Sequence, residues 1–393
     1  MAQRRKIRVL HVGKFYPPHH GGMETHLRNL CIELSRSGEF EVEALVANDT
    51  RRWATEFDGE VKITRVGILL RAGAAPICPG MVSYLRRSDA DIIHLHHPNP
   101  MAFVAYLGSG TQRKMVVTYH ADTVRQKMLS AVFAPVLHRV LGCSDAILVT
   151  SPNYLASSAV LQRHEPRCHV VPLGIYPERF EMAPPEALEI RKKFGPRIVL
   201  SVGRLIYYKG FEYLISAMRS VEAKLLIAGE GPLRSTLEEL ATRNGAAHKV
   251  AFVGAPADLM PYYHAADVFV LAAVARSEAF GLVQLEAMAA GKPVLNTRLA
   301  SGVPFASLDG VTGITVPPAD SDALAGALNR LLADPELRAR FGQAGRERVR
   351  QEFSAPLAAR RTMEIYRSVL EQKLACGVTL PADLDAVGSA CRD

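Results

Sequence analysis

The sequence predicts an α/β protein made of two doubly wound domains. Short β-branched runs alternate with amphipathic helical stretches along all 393 residues, a pattern typical of parallel sheets with crossover helices. The pattern breaks near residues 172–196, where four prolines fall between Pro172 and Pro185 and a charged helix follows. Because a chain of this length suits two domains of roughly 170–200 residues, we interpret this stretch as the linker.

The predicted elements follow this division. Strands are expected at residues 7–12, 42–46, 61–66, 91–95, 115–119, 146–149 and 169–171, and then at 198–202, 224–228, 250–253, 268–271, 293–296 and 312–316. The clearest helices are expected at 23–35, 126–141, 211–219, 233–243, 282–290, 321–332 and 335–350. The predicted domains are residues 1–180 and 181–355. A helix at 356–373 should pack back towards the first domain, before a tail at 374–393.

Composition narrows the functional class. With 48% hydrophobic and 22% charged residues, the chain is able to bury real cores. A formal charge of +8 is modest for this length and fits anionic ligands or an anionic membrane surface better than nucleic acid. The six cysteines contain no Cys-x-x-Cys pair, which disfavours zinc or disulfide frameworks. There is no signal-peptide core and no run of about 20 apolar residues, so a cytoplasmic location is expected.

Two carboxylates, Glu278 and Glu286, stand at the ends of an apolar run that reads as a helix. Glu286 shares a helix face with Leu282 and Val283, where a carboxylate is expensive to bury without partners. The sequence therefore predicts that Glu286 points into a cleft and accepts hydrogen bonds from ligand hydroxyls. The alternative is a surface glutamate beside a core helix.

The start of the same helix is a predicted anion site. Backbone N–H groups of Phe280, Gly281 and Leu282 would be free there and would hold a phosphate. A sugar joined to a diphosphate would satisfy these groups and both glutamates together.

Three loops that follow predicted strands carry further candidates. Arg204 and Lys209 lie in a loop that opens a helix and suit a diphosphate, with a solvated pair of surface cations as the alternative. Glu230 stands between two glycines and could meet a base or ribose, with a tight turn as the alternative. Gly21 and Gly22 precede a helix and would let backbone amides approach an anion, or form a plain turn.

Histidines and aspartates raise the question of a metal. His120 follows a predicted strand and is able to contact a reacting centre, while a structural histidine is the alternative. The run His94-Leu95-His96-His97 resembles a metal site, but it has no carboxylate-rich partner and is interpreted as structural. Three Asp-x-Asp spacings, at 89/91, 320/322 and 383/385, are rejected as metal ligands because of their positions. No metal is predicted.

These segments in this order resemble retaining glycosyltransferases of family 4, which have the GT-B fold, over about residues 6 to 372. The resemblance implies two Rossmann-like domains facing each other across a cleft, with residues 1–180 on the acceptor side and 181–355 for nucleotide-sugar binding. It also implies roles for individual residues, with His120, Glu278, Arg204 and Lys209 as the catalytic set. Arg204 and Lys209 would neutralise the leaving diphosphate, Glu286 would bind ribose hydroxyls, Glu278 would bind hydroxyls of the transferred sugar, and His120 would contact that sugar. The donor contacts would be completed by backbone groups of Phe280, Gly281, Leu282 and Val283. Gly21 and Gly22 would form the N-terminal glycine loop. Glu230 and Val253 would lie near the base of the nucleotide. At Leu173 many members have Asn, which puts one polar contact in doubt.

A narrower resemblance concerns residues 120–127, 150–154 and 301–304, which are similar to bacterial O-antigen and exopolysaccharide mannosyl- or rhamnosyltransferases. It favours a GDP-sugar over a UDP-sugar donor. The predicted function is a retaining, metal-independent hexosyl transfer to a saccharide or lipid-linked acceptor, with no cofactor. The alternatives are a non-catalytic nucleotide-sugar-binding protein and a sugar-nucleotide epimerase of the same fold.

A membrane-contacting segment is also predicted. An apolar run at residues 128–137 is bordered by Arg125, Lys127, His138 and Arg139, so it could rest on an anionic lipid surface. The alternative is a core helix of the first domain with charged ends.

Overall fold

The computed structural model describes residues 5–19, 21–72, 75–122 and 127–371. The chain forms two compact units: Met1–Leu173 with Ala355–Asp393, and Gly174–Ser354. The predicted tail at 374–393, Arg125 and the side chain of Lys127 lie outside what the structure describes.

The strands and α-helices follow one another in alternation. In chain order they are β1 (Ile7–Val12), α1 (Gly22–Arg36), β2 (Phe40–Ala47), β3 (Ala54–Asp58), β4 (Val61–Val66), β5 (Leu70–Ala72), β6 (Ala75–Ile77), α2 (Gly80–Arg87), β7 (Ile92–His97), α3 (Pro100–Ser109), β8 (Lys114–Tyr119), α4 (Lys127–Cys143), β9 (Ala146–Val149), α5 (Pro152–Ser157), α6 (Ala159–Gln162), β10 (Cys168–Val170), α7 (Glu186–Phe194), β11 (Ile198–Val202), α8 (Phe211–Ala217), β12 (Lys224–Ala228), α9 (Arg234–Arg243), β13 (Val250–Gly254), α10 (Met260–Ala265), β14 (Val268–Leu271), α11 (Leu282–Ala289), β15 (Val294–Thr297), α12 (Val303–Ala306), β16 (Gly313–Val316), α13 (Ser321–Ala333), α14 (Pro335–Glu352) and α15 (Ala355–Leu370).

The first unit contains an eight-stranded sheet in the order β10-β9-β8-β7-β1-β2-β4-β3. Its pairings are parallel except at the edge, where β3 runs antiparallel to β4. The C-terminal helix α15 belongs to this unit, where Met363, Tyr366 and Val369 join a core cluster with Leu30 and Leu34 of α1. The carboxyl ends of β1, β7 and β8 are therefore neighbours at one edge of this sheet.

The second unit contains a six-stranded parallel sheet in the order β13-β12-β11-β14-β15-β16. The strand order reverses between β11 and β14, and in open parallel sheets ligands bind beyond the carboxyl ends of strands at such a point. The loops after β11, β12 and β14 are thus placed where a ligand is expected.

The predicted α/β class with two doubly wound sheets is confirmed, and every predicted strand is found within two residues of its expected ends. Several elements were missed, namely β3, the β5–β6 hairpin and the short helices α2, α3, α5, α6, α10 and α12. Asp320, predicted to start a helix, caps α13 by accepting a 2.9 Å hydrogen bond from the N–H of Ala323. Within the described ranges, no helix has both the length and the apolar character needed to cross a bilayer.

Candidate functional site

The loops at the carboxyl ends of three strands in the second unit are joined by backbone hydrogen bonds. The N–H of Gly203, after β11, donates to the carbonyl of Ala228 at 2.9 Å, and the N–H of Leu205 donates to the carbonyl of Glu230 at 3.0 Å. The N–H of Gly229, after β12, donates to the carbonyl of Gly254 at 2.5 Å. The loop with Arg204 and the loop with Glu230 therefore form one connected surface.

Glycine is required for this close approach. A Cβ atom at Gly229 would lie 2.1 Å from the carbonyl oxygen of Gly203, and one at Gly231 would lie 2.5 Å from that of Leu205. Gly229 also has φ of 142°, which side chains rarely adopt. The glycines around Glu230 thus serve loop contact as well as any ligand.

Lys209 and Glu278, predicted separately, form a direct ion pair. The Nζ atom of Lys209 lies 2.5 Å from Oε2 of Glu278, and the two side chains are only 11% and 10% exposed. Burial lowers the pKa of Lys209, but the neighbouring Glu278 carboxylate more than offsets this, so the pKa lies above its ordinary value. The ammonium group of Lys209 is therefore held against the Glu278 carboxylate in a site largely shielded from water.

Arg204 differs from Lys209 in its surroundings. Its side chain is exposed, and it makes no hydrogen bond or ion pair with any residue that the structure describes. The guanidinium is thus available to grip an anion beside the Lys209–Glu278 pair.

Four consecutive backbone N–H groups stand unpaired before and at the start of α11. Those of Phe280, Gly281, Leu282 and Val283 donate to no described residue, whereas the next one, of Gln284, donates to the carbonyl of Gly281 at 3.0 Å. Gly281 has φ of 77°, so the helix begins at Leu282. The helix therefore starts where the predicted helix at 282–290 was expected to start, and Phe280 lies just before it. Backbone groups left unpaired in this way form an anion-binding concavity.

Gln284, which the sequence analysis missed, holds this segment in shape. Its side chain is fully buried, and its Nε2 atom donates to the carbonyls of Phe280 at 2.6 Å and Val303 at 3.2 Å. Its Oε1 atom accepts from Nδ2 of Asn296 at 3.2 Å. A buried amide with its partners satisfied rigidifies its surroundings, so the unpaired N–H groups are held in place.

Glu286 has a protein partner. The hydroxyl of Tyr263 donates to Oε2 of Glu286 at 2.6 Å. Burial raises the pKa of Glu286, which the hydrogen bond from Tyr263 partly counters. One carboxylate oxygen is thus oriented by Tyr263, a residue for which the sequence carried no signal.

Glu230 lies close to the end of β13, the strand that contains Val253. Glu230 is exposed and pairs with Arg234 at 2.6 Å, and its Oε1 atom would lie 3.3 Å from a Cβ placed on Gly254. Val253, the residue before Gly254, is partly buried in β13. This pair forms the outer part of the connected surface.

His120, Gly21 and Gly22 belong to the first unit. His120 follows β8 and is 5% exposed, with its ring edge against His26 of α1 at 5.2 Å between centroids. Gly21 precedes α1, which begins at Gly22, and a Cβ on Gly21 would lie 2.3 Å from a carboxylate oxygen of Glu24. The side chain of Glu24 therefore lies against this loop.

The first unit also buries several other histidines at the same edge. Desolvation lowers the pKa of His11 and His97 to about 3 and that of His26 to about 4. Both ring nitrogens of His97 lack a hydrogen-bond partner among the described residues. The ring is stacked on Tyr119 at 4.4 Å. These rings are neutral in the folded protein.

We expect the first unit to lose stability as the pH falls from 6.5 to 5. The unfolded chain protonates histidine near pH 6.5 while the folded chain does not, so unfolding takes up protons and becomes easier in acid. Each such histidine lowers the free energy of unfolding by up to about 1.4 kcal/mol per pH unit. Urea titrations followed by the fluorescence of Trp53, the single tryptophan, will measure this.

His97→Phe is the matched variant for this prediction, since it replaces an unpartnered ring with an apolar one. Between pH 6.5 and 5, its unfolding free energy should fall less steeply than that of the unaltered protein, by up to about 1.4 kcal/mol per pH unit. An unfolding free energy that stays flat between pH 6.5 and 5 would show that these histidines are accessible to protons.

The architecture is that of the GT-B glycosyltransferases. A sucrose-phosphate synthase from Thermosynechococcus elongatus superposes with a TM-score of 0.80 at 25% identity, covering 93% of this chain and 100% of that one. Anabaena HepE, solved with UDP and glucose, superposes with a TM-score of 0.75 at 19% identity, covering 92% of this chain and all of that one.

Sequence comparison gives the family. The profile described as "Glycosyl transferases group 1" matches residues 186–348, and "Glycosyltransferase Family 4" matches residues 20–179. The D-rhamnosyltransferase WbpZ of Pseudomonas aeruginosa is 31% identical over 93% of this chain and 97% of its own. The O-antigen chain mannosyltransferase C of Escherichia coli is 29% identical over 93% and 100%. The chain belongs to glycosyltransferase family 4 and is a glycosyltransferase, as the resemblance predicted.

Proposed function

We propose that this glycosyltransferase moves a mannosyl or rhamnosyl group, with retention, from a nucleotide-diphosphate sugar to a saccharide or lipid-linked saccharide. The observation that carries the proposal is the row of unpaired N–H groups from Phe280 to Val283, in the same segment as the Glu278 carboxylate that pairs with Lys209. Such donors suit a diphosphate, and a buried carboxylate suits sugar hydroxyls.

The charged residues divide the work. Arg204 and Lys209 stabilise negative charge that develops on the departing diphosphate. Glu278 is held near Lys209 and accepts hydrogen bonds from hydroxyls of the transferred sugar. Glu286, oriented by Tyr263, accepts from the ribose hydroxyls. Two protein cations do the work that a divalent metal would otherwise do, so the transfer needs no metal.

The transfer takes place on one face of the sugar. The bond from the anomeric carbon to the phosphate oxygen breaks, and a bond from that carbon to the acceptor oxygen forms on the same side. The acceptor proton passes to the leaving phosphate oxygen, so the diphosphate serves as the base. No protein nucleophile is assigned.

The names of relatives support the choice of sugar and base. Besides the rhamnosyl- and mannosyltransferases, a GDP-mannose-dependent phosphatidylinositol mannoside mannosyltransferase of Mycolicibacterium smegmatis is 31% identical over 86% of this chain and 92% of its own. These names favour GDP-mannose or GDP-rhamnose as donor and surface glycans or glycolipids as products.

We expect GDP-mannose or GDP-rhamnose to bind at least tenfold more tightly than UDP- and ADP-sugars, and transfer to survive excess EDTA. Calorimetric titration with the donor panel, followed by donor-consumption assays with and without chelator, will measure both. Tighter UDP-sugar binding would overturn the base assignment. Loss of transfer in EDTA that magnesium or manganese restores would overturn metal independence.

The same assays distinguish the two alternative functions. Binding of a donor without turnover would indicate a non-catalytic protein, and conversion of the donor sugar in the absence of an acceptor would indicate an epimerase.

We further propose that the enzyme works at the cytoplasmic face of a membrane, where it would meet a lipid-linked acceptor. Part of the segment that supports it lies outside the described residues. In the rest, Val132 of α4 is 79% exposed, while Phe133 packs near Phe103 at 6.2 Å between ring centroids. One side of α4 thus contacts the core, and another carries the exposed Val132 on the same helix face as Arg139, as a helix resting on anionic lipid would.

A further inference from the structure

A chain of buried hydrogen bonds runs through the first unit, starting at Thr118 in β8 and ending at His120 just after the same strand. It connects, in order, Thr118 of β8, His94 of β7, Tyr366 of α15, His11 of β1, His96 of β7 and His120. Thr118 Oγ1 lies 2.7 Å from His94 Nε2, and His94 Nδ1 contacts the hydroxyl of Tyr366.

The second half of the chain starts at the Tyr366 hydroxyl, which lies 3.5 Å from His11 Nε2. His11 Nδ1 lies 3.1 Å from His96 Nε2, and His96 Nδ1 lies 3.3 Å from His120 Nε2. Each of the three histidines between Thr118 and His120 uses both of its ring nitrogens.

The four rings are neutral. Burial lowers the pKa of His11 to about 3 and holds the pKa values of His94, His96 and His120 well below their usual range. A neutral imidazole has one N–H, so it donates with one nitrogen and accepts with the other. Along an unbroken chain, the direction of one hydrogen bond then decides the direction of all the others.

Thr118 sets that direction. Its hydroxyl has one hydrogen-bond partner among the described residues, Nε2 of His94, and it is 3% exposed. A buried hydroxyl with a single acceptor in reach donates its proton there, because leaving the proton unpaired costs about 1–3 kcal/mol. His94 therefore accepts at Nε2 and carries its proton on Nδ1.

The consequence passes down the chain. His94 Nδ1–H donates to the oxygen of Tyr366, so the proton of Tyr366 goes to its other neighbour, Nε2 of His11. His11 then donates through Nδ1 to His96, and His96 donates through Nδ1 to Nε2 of His120. His120 accepts at Nε2 and has its proton on Nδ1.

We propose that Thr118 and Tyr366 are positioning residues that fix His120 as the Nδ1–H tautomer, so that His120 offers a hydrogen-bond donor and not a base. Within the described part of the chain, no residue bonds Nδ1 of His120. The tautomer assignment stands apart from the proposed function. Its consequence, that Nδ1–H of His120 donates to an oxygen of the donor sugar, rests on that function.

A metal explains the same cluster less well. The triplets His11, His94, His96 and His26, His96, His120 each bring three ring nitrogens within 4.8 Å of one another. Both nitrogens of His11, His94 and His96 are already used in hydrogen bonds. An ion would have to break the chain in order to bind.

Nitrogen NMR of the ligand-free protein tests the proposal. The full chain is labelled with ¹⁵N-histidine, treated with chelator, and its rings are assigned with single-histidine variants. We expect His11, His94, His96 and His120 all to show a protonated Nδ1 and an unprotonated Nε2, the less common form of a free imidazole. Because no donor is present, this result is independent of whether the proposed donor chemistry is correct.

Two variants test whether the hydrogen-bond chain fixes the tautomers or whether the histidines are merely packed together. Tyr366→Phe keeps the ring but removes the hydroxyl and so interrupts the chain of hydrogen bonds in its middle, and His11, His96 and His120 should become tautomer mixtures. Thr118→Val should release all four rings. Tyr16→Phe, which removes another buried hydroxyl of this unit that bonds Asp58 at 3.2 Å, should change none.

Three outcomes would overturn the proposal. They are a His120 protonated on Nε2 in the unaltered chain, a Tyr366→Phe spectrum in which His120 is unchanged, and a spectrum of these rings that differs before and after chelation. The last would show that a metal holds the histidines.

Discussion

Replacing Lys209 by methionine is expected to lower turnover by about 100-fold or more. Lys209 is one of two cations that we assign to the departing diphosphate, and loss of one preorganised electrostatic stabiliser has effects of this size. Donor-consumption rates at saturating donor measure it. Arg204→Ala should have a comparable effect on turnover, but it removes an exposed side chain and should leave stability unchanged.

The ion pair complicates the Lys209 variant, and a second substitution resolves the problem. Lys209→Met leaves Glu278 charged and 10% exposed, and breaking a buried pair in this way costs about 3–5 kcal/mol of stability. Lys209→Met combined with Glu278→Gln removes the unpaired charge, so stability should return while turnover stays low. Lys192→Met, which breaks an exposed pair with Glu189 in the same unit, should change neither.

The double variant carries the decisive outcome. If it regained both stability and turnover, Lys209 would act only by neutralising Glu278, and the diphosphate role would be wrong. If Lys192→Met lost activity as well, the assay would be reporting a general loss of charge.

The fold was predictable where hydrophobic pattern and chain topology agree. Buried parallel strands such as β11 and β14 are nearly continuous β-branched or apolar runs, so they stand out in the sequence. β3 was missed because its residues Ala54–Phe57 are exposed, and an edge strand needs no apolar pattern. The short helices α10 and α12, with six and four residues, are too brief to show a helical period.

The sequence offers candidate site residues one by one, but it does not show which of them contact each other. Glu278 and Lys209 were each given a ligand as partner, and only the fold shows that they also pair with each other. The supporting residues were harder to find, because Tyr263 lies in a six-residue helix and Tyr366 lies on the buried face of an amphipathic one. Gln284 did leave a signal, as a polar side chain at a buried position of the apolar helix α11, where it needs partners.

Glu286→Ala is expected to weaken donor binding by about 10- to 150-fold. The proposed ribose contact is a hydrogen bond to a charged group, worth roughly 1.5–3 kcal/mol. Glu286→Gln keeps the side chain's shape and an oxygen for the Tyr263 hydroxyl, so it should lose less. Tyr263→Phe leaves the carboxylate without the 2.6 Å hydrogen bond that orients it, so its loss of donor affinity should lie between those of Glu286→Ala and Glu286→Gln.

Glu189→Ala, at an exposed position of α7, is the control and should bind the donor normally. Calorimetric titration with the tightest-binding donor of the panel gives each dissociation constant, and melting curves establish that each variant is folded. A folded Glu286→Ala protein with unchanged affinity would show that Glu286 serves only as the partner of Tyr263, and the ribose contact would then have to be assigned elsewhere.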